Sequence, residues 1–132
     1  MRYLLDTNVV IALLAGQEHV DRRVRACEAQ DIVLSAIVAY ELHFGARKSA
    51  RFAYNERRLH GLGFAVLVFT EDDARHAGDV RRRLEVAGTP IGPYDTLIAG
   101  QALARDLVVV TRNTREFRRV EGLRVEDWEA SS

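Results

Sequence analysis

Four short apolar runs, residues 3–5, 32–34, 64–69 and 107–110, are separated by segments long enough for helices. Runs this short, bounded by cap and turn residues, read as buried parallel strands, because a strand covered on both faces is apolar throughout rather than alternating. Helical patterns fill the intervals over residues 8–15, 19–30, 36–46, 47–62, 72–86 and 93–105. Gly61 and Gly63 end the fourth of these, and Gly88 with Pro90 follows the fifth. The tail, residues 123–128, is expected to add a further strand, with Trp128 packing it onto the core. This alternation predicts an α/β fold: an open, mostly parallel twisted sheet of four to five strands, with right-handed crossovers and helices on both faces. A chain of 132 residues fits a single domain, 1–132, with an ordered core over about 2–128. Ligands of such sheets bind beyond the carboxyl ends of the strands, where the direction of winding reverses.

Charge and thiol content remove several function classes. Nineteen basic residues balance nineteen acidic ones, so no global positive field advertises nucleic acid, and any such partner must meet a local patch. Lys48 is the only lysine, which leaves 18 arginines, the side chain whose planar fork suits phosphate oxygens. Most of these alternate with Glu and apolar residues on helices and read as solvated faces. A single cysteine, Cys27, excludes a disulfide framework and a thiolate zinc site. No apolar run is long enough for a signal peptide or a membrane span, so a soluble, cytoplasmic protein is expected.

The informative residues are acids at or just after strand ends. Asp6, Thr7 and Asn8 follow the first strand; all three types cap helices, and one cap needs only one of them. Glu41 lies a turn after Ile37 and Val38 and a turn before Phe44 and Gly45, so it is expected to project from an apolar stripe, where a carboxylate needs a cation, a hydrogen-bond network or water. An arginine partner at the stripe's edge is the structural alternative. Gly92-Pro93-Tyr94-Asp95 reads as a helix start, where an acid suits the helix dipole; Ile98, Ala99 and Ala102 share its face and turn it inward. After the strand at 107–110, Asn113 or Glu116 either completes an acidic pocket or serves as a turn or cap residue. Inward carboxylates from three such places repel one another, and a hard divalent cation, Mg²⁺ or Mn²⁺ rather than Zn²⁺, fits an oxygen-only donor set. The four histidines, His19, His43, His60 and His76, are dispersed and offer no acid–base pair. Arg112 and Arg115 stand near the same crevice and suit either phosphate binding or plain salt bridges.

Asp6-Thr7-Asn8, Glu41 with Leu42 and Gly45, the segment from Ile91 to Gly100, and the segment from Val110 to Phe117 together resemble the PIN-domain toxin ribonucleases called VapC. The likeness runs from residue 2 to Trp128. Within the family, residues 91–99 and the tail through Trp128 look most like the initiator-tRNA-specific endonucleases. The resemblance implies Asp6 and Asp95 as metal ligands and Glu41 as the third acidic residue. The fourth acidic position, often an aspartate in the family, is here Asn113 with Glu116 three residues on. Thr7, Asn8, Thr111 and Asn113 would support the site. The resemblance further implies a homodimer, and a cognate VapB-like antitoxin whose C-terminal segment lies across the cleft.

The mechanism expected from these residues is Mg²⁺-dependent hydrolysis of RNA, with Asp6 and Asp95 holding the metal, Glu41 positioning or deprotonating water, and Glu116 in the surrounding catalytic group. A single-stranded loop, the anticodon loop of initiator tRNA by resemblance, is the expected target, because its backbone is open to attack. Two other classes compete. An aspartyl-phosphate phosphatase would need a second aspartate where the chain has Asn8, and its lysine is hard to place. A catalytically silent RNA- or antitoxin-binding module on the same fold is disfavoured by intact Asp6, Glu41 and Asp95.

Overall fold

A computed structural model describes residues 1–130. The elements run β1 (Tyr3–Leu5), α1 (Thr7–Leu14), α2 (Glu18–Arg25), β2 (Ile32–Ser35), α3 (Ala36–Lys48), α4 (Phe52–Gly61) and β3 (Ala65–Leu67). There follow α5 (Glu71–Val86), α6 (Pro93–Arg105), β4 (Val108–Val110), α7 (Thr114–Phe117) and β5 (Val125–Glu126). The strands form one sheet in the order β3-β2-β1-β4-β5. Every pairing is parallel, with Leu4 opposite both Val33 and Val109. From β1 the chain winds outward through β2 to β3, then returns to β4 and winds the other way to β5. The direction therefore reverses between β1 and β4. Right-handed crossovers put α1 to α4 on one face and α5 to α7 on the other.

Burial explains most of this order. Every residue of β1, β2 and β4 is buried, as strands covered on both faces must be. Trp128 is buried too; its ring meets Tyr3 edge-on at 5.0 Å, and its Nε1 donates to Glu126 Oε1 at 3.0 Å, which seats β5 at the end of the sheet.

Several boundaries depart from the sequence expectation. The run at 64–69 is not a buried strand: β3 is an edge strand of three residues, and Ala65 and Val66 are exposed, because pairing on one side leaves the outer part uncovered. The helix expected over 19–30 stops at Arg25, and Ala29–Asp31 form a single 3-10 turn that delivers the chain to β2. The break expected after residue 46 falls instead at residues 49–51, where Ser49 is extended and its Oγ accepts the Arg51 N–H at 3.1 Å, a local bond that competes with continuing the helix. Glu116, for which a turn or cap role is the alternative, lies within the one-turn helix α7, and Asn113 immediately precedes it. On α3 the buried line is Val38, Leu42 and Ala46, whereas Phe44 and Gly45 are exposed, so Glu41 stands at the edge of the buried surface rather than within a stripe.

One buried polar network had no counterpart in the sequence reading. Thr70 and Asp73 form a reciprocal capping box at the start of α5, the one local signal of it; the helix expected over 72–86 includes Asp73 but not Thr70. Asp73 is buried and also accepts from Gln101 Nε2 at 2.9 Å and from Arg105 at 3.2 and 2.9 Å. Burial alone would raise its carboxyl, but these donors and the Arg105 charge more than reverse that, holding it at about 2. Gln101 and Arg105 also donate to the Val68 carbonyl, so the network fastens α6 to α5 and to the chain leaving β3.

Alongside it the two helices touch backbone to backbone. A Cβ built on Gly100 would lie 2.4 Å from the Ala77 Cα, whereas one on Gly78, on the exposed side of α5, meets nothing within 4 Å. Opposite signs follow. Gly78→Ala should stabilise the protein by roughly 0.5–1 kcal/mol through lost unfolded-state freedom. Gly100→Ala should cost about 1–3 kcal/mol as α6 is pushed away. Denaturant unfolding of the two variants checks both, and a Gly100→Ala variant as stable as wild type would contradict the packing described.

Candidate active site

The reversal point between β1 and β4 places Asp6 and Thr111 side by side. The Asp6 backbone N–H donates to the Val110 carbonyl at 2.8 Å, joining the two strand ends. Asp6 caps α1, its Oδ1 accepting the Thr7 N–H at 2.9 Å. Its Oδ2 accepts the Thr111 hydroxyl at 2.8 Å, and Thr111 Oγ1 in turn accepts the Asn113 N–H at 2.9 Å. The choice between cap and site residue therefore dissolves, since Asp6 is the cap and faces the cleft as well. It is 5% exposed, and burial pushes its carboxyl up despite the bonds from Thr111 and Thr7.

Three further acids gather around it. Glu41, half-buried on α3, accepts the Thr7 hydroxyl at 2.9 Å; its partner is this threonine and not an arginine. Asp95 lies in the first turn of α6, behind Pro93 at the helix start. Burial, then the charge of Asp6, then those of Glu116 and Glu41, raise the Asp95 carboxyl to about 6, against a lowering bond from Asn113. Asn113 Nδ2 bridges Asp95 Oδ2 at 3.2 Å and Glu116 Oε2 at 3.0 Å, which assigns it to the site while it also precedes α7.

These groups border a cleft of about 380 Å³ lined by Asp6, Thr7, Asn8, Glu41, Asp95, Arg112 and Asn113. Glu116 reaches it only through Asn113. Arg112 lines the cleft and lies 3.9 Å from Glu129, whereas Arg115 is exposed on α7, outside the lining. Among the described residues, none of Asp6, Glu41, Asp95 and Glu116 forms an ion pair. Four neighbouring carboxylates without a protein cation are an oxygen-only donor set with unbalanced negative charge, which fits a hard divalent ion. Among the described residues no three His, Cys, Asp or Glu side chains converge into a ready chelating cluster. An ion here would touch one or two carboxylates and keep water in its remaining positions.

Residues 3–123, which carry β1 to β4 and the acidic cleft at the sheet's reversal point, match the sequence model of the PIN domain. The tRNA(fMet)-specific endonuclease VapC of Salmonella typhimurium is 40% identical over 131 residues, covering 97% of this chain and 98% of that protein. Its namesake from Shigella flexneri is 37% identical over 130 residues, with 97% and 98% covered. Among solved structures, DNA-bound VapBC from Salmonella typhimurium has a TM-score of 0.91 at 40% identity, with 97% of this chain and 98% of that one covered. VapBC-1 from nontypeable Haemophilus influenzae has a TM-score of 0.87 at 32% identity, with 98% and 100% covered. The chain belongs to the VapC toxin ribonucleases of the PIN-domain family.

The crowding has a measurable pH signature. An unfolded aspartate titrates near 3.9, roughly two units below Asp95 in the fold. Between about pH 4 and pH 6 the unfolded state therefore binds fewer protons at this residue, and its contribution to stability is lost as the pH rises through that window. Carbon NMR titration of the metal-free protein should give Asp95 a midpoint near 6, moved down by Asp6→Asn. A midpoint near 4 would contradict the crowding.

Proposed function

We propose that this protein is a Mg²⁺-dependent endoribonuclease, with Mn²⁺ able to substitute, that cuts RNA within a loop. The observation carrying this reading is that Asp6, Glu41 and Asp95 line one cleft, with Glu116 joined to Asp95 through Asn113, and that none of the four has an ion pair to offset it among the described residues. Asp6 and Asp95 would hold the ion. When bound, it supplies positive charge for the scissile phosphate and acidifies water. Thr111 and the Thr7 N–H fix both oxygens of Asp6, so its orientation is set before anything binds. Thr7 holds one oxygen of Glu41 and leaves the other to orient the attacking water or take its proton. Asn113 keeps Asp95 and Glu116 at a fixed separation, Asn8 lines the entry, and Arg112 is the cation available to a phosphate at the cleft's edge. Arg115 would meet RNA further out on α7.

The finer reading is that the target is initiator tRNA, cut in its anticodon loop. It is supported by the relatives named tRNA(fMet)-specific endonucleases, at 40% and 37% identity over nearly the whole chain. A loop also suits a chain of zero net charge, which has no broad grip on duplex backbone. A VapB-like antitoxin would restrain the activity and the protein would act as a homodimer in the cytoplasm; the solved relatives are VapBC assemblies. No helix among the described residues is long and apolar enough to cross a membrane.

Purified protein with Mg²⁺ should cut initiator tRNA once, stop on chelation, and cut elongator methionine tRNA far more slowly. Asp6→Asn and Asp95→Asn should each lower kcat by at least about a hundredfold, and Glu41→Gln should be severe. With chelator present, Asp95→Asn should melt no lower than wild type, because it removes repulsion. Near-normal cleavage by the Asp95 variant would sink the assignment, and equal cutting of both tRNAs would remove only the initiator preference.

A further inference from the structure

The exposed aromatic side chains are Tyr40, Phe44, Phe52, Tyr54 and Tyr94. Three of them are covered by their own cations: Lys48 lies over Phe44, Arg47 over Phe52, and Arg51 with Arg58 over Tyr54. Among the described residues no cation lies over Tyr40 or Tyr94, in a chain with 18 arginines. These two instead meet each other across α3 and α6. Their hydroxyls are 3.3 Å apart, while the rings, 5.7 Å between centroids, are inclined at 58°. The oxygens touch and the rings splay, so neither lies flat on its neighbour. Tyr40 immediately precedes Glu41 and Tyr94 immediately precedes Asp95 along their helices, so the pair stands at the rim of the cleft, outside its lining.

A substrate entering that cleft meets acids, and its phosphates are repelled everywhere except at a bound cation and at Arg112. Grip on the nucleotides must then come from groups that add no negative charge and do not compete for the ion. Neutral aromatic rings meet that condition, since every unpaired base has a π face and a stacked base leaves its phosphate free to lie in the cleft. Bases paired in a duplex are already stacked and cannot use it. We propose that Tyr40 and Tyr94 form a stacking platform that holds an unpaired base next to the scissile phosphate, so that the protein selects single-stranded RNA at its rim before the acids act. This rests on the ribonuclease reading above and adds the element that recognises the substrate.

The hydroxyl contact could alternatively serve only to clamp α3 to α6, and the choice of variants separates the two roles. Tyr40→Leu/Tyr94→Leu removes both rings, whereas Tyr40→Phe/Tyr94→Phe keeps the rings and removes only the hydroxyl contact. The probe is a short unstructured RNA carrying 2-aminopurine, free or annealed to its complement, bound with Mg²⁺ in a Glu41→Gln background that slows cutting. The parent should quench the fluorophore in the single strand and not in the duplex. The Leu pair should weaken single-strand binding about 10- to 100-fold and abolish quenching, and the Phe pair should restore both to within about threefold. In the cutting-competent chain the Leu pair should raise KM far more than it lowers kcat. Circular dichroism checks the fold, and the single Leu variants carry the same comparison if the double variant does not fold. Tight binding by the Leu pair, or Phe variants as weak as Leu, would overturn the platform. RNA that binds and is quenched but is never cut by the wild-type chain would remove the nuclease reading and leave the platform standing; cutting indifferent to the Leu pair would do the reverse.

Discussion

Repulsion among carboxylates at the seam between β1 and β4 is the constraint around which this structure is arranged. The seam arises from topology, because a sheet that winds one way from β1 and the other way from β4 leaves a crevice at their carboxyl ends. Asp6 fills one side of it and Thr111 the other, and the bond between them fixes the carboxylate that the remaining acids must tolerate. Glu41, Asp95 and Glu116 then approach from three different helices, so the crowding is set by how α3, α6 and α7 are placed. Asp95 records the result, its carboxyl held at about 6 by burial and by its neighbours' charge.

What keeps the acids together lies outside the cleft. The position of Asp95 depends on the seating of α6, and α6 is held by the close approach of Gly100 to Ala77 and by the Asp73–Gln101–Arg105 network. That network satisfies its carboxylate fully: an arginine, an amide and a capping box pull Asp73 down to about 2. The two aspartates therefore show opposite solutions to burial. Asp73 is neutralised by the protein and is structural. Asp95 receives one amide and otherwise like charges, a state worth its cost only where an external cation completes it.

How far the sequence reveals this depends on how local each signal is. Asp6 and Asp95 are legible because a strand end and a Pro-led helix start fix their places within a few residues. The three central strands are legible because burial on both faces leaves an unbroken apolar run. The run at 64–69 carries the same letters but ends at the sheet's edge, and edge position is set by pairing, which composition does not encode. Glu41 emerges as a candidate, yet Phe44 and Gly45, invoked to place it, face solvent; the contact that matters is with Thr7, 34 residues away. Asn113 is ambiguous in sequence because its bridging role needs α6 and α7 placed first. The Asp73 network joins residues 28 and 32 apart across two helices and leaves only its capping box in the local pattern.

Crowded carboxylates that await a cation should take up magnesium in exchange for protons. Calorimetric titration of Mg²⁺ into metal-free protein at pH 6, repeated in buffers of different ionisation enthalpy, reads both affinity and protons exchanged. Wild type should bind the ion with release of a fraction of a proton from Asp95, and Asp6→Asn and Asp95→Asn should each bind it at least about tenfold more weakly. Equal affinity in wild type and both variants, or binding with no proton released, would contradict the claim that these carboxylates are crowded to receive a cation.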